Sequence, residues 1–181
     1  MLTVSQRKEI REKAVACFHE AGIALSSREL LKEIEIVDYD YPDYYKLGIV
    51  IVTTVNGPRY CGRYVLFFPG QSCAEHWHPN IGLRRGKEET FRVLWGIVYA
   101  YIPGAPTESP HGKIPEGQEP YHKSRHELVL NPGDQYSLKL HERHWFQAGP
   151  KGAIAYEVSS HAFDKHDLTA NKTFKVRSYK D

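Results

Sequence analysis

Along the first 22 residues the apolar positions fall three and four apart. Ile10, Ala14, Phe18 and Ala21 share one face and Gly22 stands where a helix would stop, so the spacing predicts an amphipathic helix over residues 5–22. Ser26-Ser27-Arg28-Glu29 reads as a capping box opening a second helix, with Leu30, Leu31 and Ile34 on its inner side. From Val37 the period changes. Leu47–Val55 is apolar and β-branched, Asn56-Gly57 is a strong hairpin signal, and Arg59–Phe68 reads as the returning strand, with Gly62 suited to a bulge. Pro69-Gly70 turns the chain into a strand holding His76 and His78. Thr90–Ile102 is a long strand with Gly96 at its middle, a residue that permits a bend or a close backbone approach. His126–Leu130 is a short strand and Asn131–Asp134 a tight turn. Tyr136, Leu138 and Leu140 alternate with polar residues, and His144–Phe146 and Ala153–Ser159 open two more strands. The tail from His161 to Asp181 is polar, with a last strand expected at Thr173–Val176.

Residues 103–123, rich in proline and glycine, form an excursion loop in which His111 and His122 are expected to be solvated. No repeat of fixed period occurs. Short strands separated by turn signals argue for an all-β barrel or jelly roll with helices at its N-terminus. The whole, residues 1–181, reads as one domain: a helical lead-in over 1–36, then barrel and tail over 37–181.

Composition narrows the function. A chain of 181 residues suits one sizeable core, and a net charge of +2 offers no basic stripe for nucleic acid. No apolar run reaches the length of a membrane span, and the N-terminus lacks the apolar segment of a signal peptide. Three cysteines, with no CxxC pair, fit free thiols and a cytoplasmic location.

The chemistry concentrates between Gly70 and Gly96. Side chains two apart share a face of a strand, so His76 and His78 can point together while Trp77 points away. Two imidazoles and the Glu89 carboxylate suit a divalent first-row metal. A tetragonal or octahedral site calls for a fourth ligand. His144 begins an apolar strand and can point inward, whereas His141 lies in a polar turn; His144 is the preferred residue.

Gly70, five residues, His76-x-His78, then Glu89, six residues, Gly96 resembles the first motif of the cupins. Pro132-Gly133-Asp134 followed by His144 resembles the second. The ten residues from Pro79 to Glu88 depart from the shorter spacing of common cupins. With Gly-Lys-Glu-Glu-Thr-Phe-Arg at their end and His-Trp-Phe later, they resemble the D-lyxose isomerase family of cupins. The resemblance implies a manganese-dependent aldose–ketose isomerase (Co²⁺ being another usable ion) that interconverts D-lyxose with D-xylulose and often D-mannose with D-fructose. It also implies a homodimer, a small sugar as partner, and metal ligands at His76, His78, Glu89 and His144.

Such an isomerisation moves a proton between C1 and C2 of the open-chain sugar. Glu157, in the apolar run Ala-Ile-Ala-Tyr-Glu-Val-Ser, is the candidate proton carrier, although the alternation there leaves both an inward and an outer-face position open. Lys87, two residues before Glu89 and on its face if extended, is the candidate cation for the developing oxygen charge; a solvated loop lysine beside Arg84 and Arg85 is the other reading, and the Gly-Lys-x-Glu match to the family favours the functional one. Glu88 and Glu75 should face away. Trp77, Trp145, Phe146 and Tyr99 can shape a sugar pocket or pack the core. An Fe(II) dioxygenase, a sugar-phosphate isomerase using Arg84, Arg85 and Lys87 as an anion site, and a non-catalytic sugar-binding cupin are the competing functions, since one fold hosts many chemistries.

Overall fold

The computed structural model describes residues 1–160 and 162–180. His161 and Asp181, the two ends of the polar tail, lie outside the described residues. Helix α1 spans Val4–Glu20. Thr3 caps it reciprocally: its hydroxyl accepts the Gln6 N–H at 3.2 Å while Gln6 accepts the Thr3 N–H at 2.8 Å. Gly22, at φ +70°, takes the chain off its end.

The second helix does not form as expected. Its capping box is present, with Ser26 N–H bonded to Glu29 at 2.6 Å and Glu29 N–H to the Ser26 hydroxyl at 3.3 Å. Only a five-residue π-helical turn, Glu29–Glu33, follows it. Leu30 and Leu31 are exposed, and Ile34 starts a strand, three residues ahead of the boundary expected at 37. Cross-strand pairing of the β-branched run Ile34–Val37 outweighs the local start signal.

Ten strands follow: β1 (Ile34–Asp38), β2 (Gly48–Asn56), β3 (Cys61–Phe67), β4 (His76–Trp77), β5 (Glu89–Ile102), β6 (His126–Leu130), β7 (Gln135–Ser137), β8 (Trp145–Ser159), β9 (Leu168–Thr169) and β10 (Arg177–Tyr179). The main sheet is antiparallel in the order β10-β1-β2-β3-β8-β5-β6, with β7 also on β5, and β4 pairs with β9. Three expectations need correction. The strand through Tyr136 ends at Ser137, short of Leu138 and Leu140. The two runs at 144–146 and 153–159 are one strand, β8. The last strand is Arg177–Tyr179 rather than 173–176, because Ile36, Val37 and Asp38 of β1 pair there. The bulge expected at Gly62 falls on the partner strand, where the register shifts between Thr53 and Val55 opposite Gly62.

β5 and β8 run side by side over their length, and both bend halfway. Gly96 faces Ala153, yet Val98 faces Ala148, so Gly149–Gly152 of β8 loop out across a single residue of β5. Gly96 has φ +72°, and a Cβ there would collide with the Gly152 carbonyl. This bend lets one strand pair serve both halves of the barrel.

The sheet is apolar on both faces. Inward lie Ile51, Val65, Phe67, Phe91, Val93 and Ala155. Outward, Ile36, Val50, Val52, Leu66 and Ile154 pack under Ile10, Ala14 and Phe18 of α1. The excursion loop folds back onto the barrel. Glu75 accepts the Lys123 and Ser124 N–H groups at 2.7 and 2.8 Å. His122 is therefore buried, against the expectation that it is solvated: it bonds the Gln118 carbonyl at 3.0 Å and sets its edge on Trp145. His111 stays exposed, paired with Glu127 at 2.7 Å. No helix among the described residues is long and apolar enough to cross a membrane.

Candidate active site

Strand parity brings the histidines together. His76 stands in β4 and is bridged to His144, each donating its N–H to the other's carbonyl at 3.0 Å. His78 lies two residues on. The three rings each offer one nitrogen, and these atoms lie within 4.8 Å of one another. Ring centroids are 4.3 Å apart for His76 and His144, and 5.2 and 5.4 Å from His78 to each.

Hydrogen bonds fix which nitrogen is free. His76 Nδ1 lies 2.9 Å from the Ala74 carbonyl and His144 Nδ1 lies 2.9 Å from the Glu142 carbonyl. A carbonyl only accepts, so each Nδ1 carries the hydrogen and each Nε2 presents a lone pair. His78 Nδ1 lies 2.7 Å from Asp167 Oδ1 and so carries a hydrogen as well, while its Nε2 lies 3.0 Å from Glu89 Oε1 and holds a second one unless a metal displaces it. Burial, followed by the neighbouring His144 and His78, holds His76 well below its ordinary pKa, in the neutral form a metal needs. Burial opposes charge on His78 too, but Glu89 and the Asp167 bond outweigh it and raise its pKa to about 9. A proton and a cation thus compete for that nitrogen.

The ten-residue insertion folds back to deliver Glu89. Ile81 and Arg84 bond each other's backbone at 3.0 and 3.1 Å, and Asn80 Oδ1 accepts from Gly86 N–H at 2.9 Å and lies 2.8 Å from His141 Nε2. Glu89 Oε1 then lies 3.0 Å from His78 Nε2 and 3.3 Å from His144 Nε2. Burial would raise the Glu89 pKa, yet Lys87 and His78 take it well below the usual carboxylate range. His144 Nε2 is buried with no hydrogen-bond partner, an arrangement that costs free energy unless a cation fills it. The donor set, three imidazoles beside one carboxylate, fits a divalent first-row ion once His78 gives up its proton.

Lys87 and Glu157 meet the same cavity. Both side chains are largely shielded from solvent, and Lys87 Nζ lies 2.5 Å from Glu89 Oε2 and 3.2 Å from Glu157 Oε1. Burial and Arg63 push the Lys87 pKa down, but Glu157 and Glu89 turn the balance upward, so it stays charged. Glu88 is exposed, on the opposite parity. Glu75, as expected, faces away from the histidines. Glu157 points inward with Ala155, flanked in register by Arg63 on β3 and Phe91 on β5.

The sequence reading passed over Arg63, Asp164 and Asp167. Arg63 is buried, its Nε 2.8 Å from Glu157 Oε2 and its Nη1 2.6 Å from Asp164 Oδ2. A lone charge in the apolar run Cys61–Phe67 was the available signal, the same one that singled out Glu157. The two aspartates sit in a polar tail without any such contrast. A cavity of about 800 Å³ opens onto His76, Lys87, Glu89 and Glu157, walled in part by Phe146, Tyr39 and Phe174. Of the four aromatic candidates only Phe146 reaches it. Trp77 lies under Arg143, Trp145 stacks on Tyr101, and Tyr99 stacks on His111. Arg84 and Arg85 line a second cavity of about 470 Å³ that shares Lys87, Phe163 and Asp167 with the first.

Fold and site together define a cupin-type barrel with a histidine centre ready for a metal. Solved structures with this fold include the ligand-free L-ribose isomerase of Cellulomonas parahominis, at TM-score 0.75 and 14% identity over 94% of this chain and 93% of that one. An Acinetobacter L-ribose isomerase in complex with L-ribose follows at TM-score 0.69 and 18% identity, over 89% and 82%. No protein-family model matches the chain. Among curated proteins it is 45% identical to a D-lyxose ketol-isomerase from Thermofilum sp., covering 97% of each. It is 42% identical to the D-lyxose/D-mannose isomerase of Thermosediminibacter oceani, covering 97% and 96%. The chain belongs to the D-lyxose ketol-isomerase family.

Proposed function

We propose that this chain interconverts D-lyxose and D-xylulose, and D-mannose and D-fructose, as a manganese-dependent aldose–ketose isomerase. The observation that carries the reading is the clustering of three imidazole nitrogens within 4.8 Å of one another, beside the cavity that His76, Lys87, Glu89 and Glu157 line together. His76, His78, His144 and Glu89 would hold the ion, which when bound supplies Lewis acidity to the sugar's carbonyl and adjacent hydroxyl oxygens. Glu157 Oε1 accepts the proton from C2 of the open-chain aldose, the C–H pair becoming the C1–C2 double bond of an enediolate as the carbonyl π pair moves onto O1. The same carboxyl returns the proton to C1 as the C2 carbonyl forms and the O2 hydroxyl proton passes to O1. Lys87 faces the oxygen that gains charge between those steps. Phe146 and the other rings keep competing water from the reacting carbons. The reading includes a homodimer located in the cytoplasm.

The test is an anaerobic assay of the chelator-stripped chain with Mn²⁺ and D-lyxose or D-mannose, with ketose formation followed by NMR. Metal-dependent conversion to D-xylulose and D-fructose is expected. Oxygen uptake without isomerised product, or turnover only of phosphorylated sugars, would overturn the reading.

A further inference from the structure

His76 and His144 are each oriented by a carbonyl two residues earlier in their own strand segment, Ala74 and Glu142. His78 is not. Its Nδ1 is held by Asp167, a side chain 89 positions along the chain. The same short segment reaches the proton-transfer side. Asp164 binds Arg63 Nη1 at 2.6 Å and lies 3.9 Å from Lys87 Nζ, and Arg63 in turn holds Glu157 Oε2 at 2.8 Å.

Local geometry explains the double reach. Asp164–His166 is a single 3-10 turn, closed by the Asp167 N–H on the Asp164 carbonyl at 3.0 Å. In such a turn residues three apart lie on one side. Both carboxylates therefore project the same way, toward the cavity that both line. Beyond the turn, β9 pairs with β4, placing Thr169 opposite His76 and Leu168 opposite Trp77, and the Ala170 N–H binds the Glu75 carbonyl at 2.8 Å. The segment is thus fastened to the strand that bears the histidines.

We propose that Asp164 and Asp167 form a two-pronged clamp of positioning residues. Asp167 orients His78 and strengthens its Nε2 as a metal donor; Asp164 holds Arg63 and, through it, the Glu157 carboxylate. Imidazole-ligating metals are regularly supported by such a carboxylate, whose loss weakens metal binding about 10–100-fold. The prong on Arg63 acts on geometry, where a displacement of about 1 Å at a reacting group can cost about 100-fold in rate. The inference rests on the metal and base assignments of the preceding section.

The two prongs have separable signatures. Mn²⁺ binding is measured by titration calorimetry on the chelator-stripped full chain, and kcat and KM for D-lyxose at saturating Mn²⁺. D167N is expected to weaken Mn²⁺ binding about 10–100-fold, a larger effect than its loss of kcat. D164N is expected to leave Mn²⁺ affinity within about twofold while kcat falls about tenfold or more, with part of the rate restored in D164E. Should D167N not fold by thermal melting, D167S carries the same expectation. Wild-type Mn²⁺ affinity in D167N or D167S overturns the His78 prong, and an unchanged kcat in D164N overturns the Arg63 prong. H144A that binds Mn²⁺ as tightly as wild type would instead remove the metal assignment itself.

Discussion

Glu157 stands between two cations: Arg63 directly across the ladder on one oxygen and Lys87 on the other. A carboxylate held from both sides has one orientation, which is what a group moving a proton between adjacent carbons requires. Glu157→Gln keeps the shape and removes the proposed base. Its kcat on D-lyxose is expected to fall about 10²–10⁴-fold while Mn²⁺ binding persists; near-normal turnover would assign the base elsewhere. Asp164 gives a test in pH. Burial would raise its pKa above the usual 3.8, but the Arg63 and Lys87 charges lower it further than burial lifts it. Between the folded and unfolded values the unfolded chain binds more protons. The Asp164 contribution to stability is therefore whole above 3.8 and is lost as pH falls through the folded value. The thermal midpoint of D164N should fall less steeply than wild type below that pH, and parallel acid limbs would contradict this.

At the scale of elements, α1 decides what the sheet can look like. It covers the outer face of β1, β2, β3 and β8 with Ile10, Ala14 and Phe18, so those strands are apolar on both sides. Phe18 is 1% exposed and meets Tyr64 edge-on at 5.5 Å. Phe18→Ala should lower stability by about 3–5 kcal/mol in denaturant unfolding. A cost under about 1 kcal/mol would mean the helix is not held by this face. The same covering hid the orientation of Glu157. Where Ile154 is as sheltered as Ala155 and Tyr156 is half-buried, alternation carries little inside–outside signal. Glycine was more legible: Gly96 was read as a bend, and it marks the place where β5 and β8 change register.

For the whole molecule, the barrel gathers charges that are far apart in the chain, from Arg63 to Asp167, around one cavity. His144 Nε2 is a buried atom without a hydrogen-bond partner, and Glu89 Oε1 lies 3.3 Å from it. An ion held by these two residues would bind the folded chain and find no such site in the unfolded one, which would make stability depend on it. Mn²⁺ at about 100 times its Kd is expected to add about 2.7 kcal/mol. Stripping with EDTA should lower the melting temperature by several degrees and re-addition should restore it. An unchanged midpoint, with calorimetry showing no uptake, would count against the centre.

The local pattern of the chain determined α1, most strands, the shared parity of His76 with His78 and of Lys87 with Glu89, and the inward place of His144 beside the other two histidines. These depend on residue spacing and intrinsic backbone preference, which a sequence displays directly. Tertiary structure decided the rest. It cut the second helix to one turn because β1 had a better partner in β2, and it buried His122 beneath the folded-back loop. It also turned Glu157 inward and brought Asp164 and Asp167 from a featureless polar tail onto Arg63 and His78. Each of those outcomes depends on which distant segment covers a given face, and that is settled only when the barrel closes and buried charge must find its counter-charge.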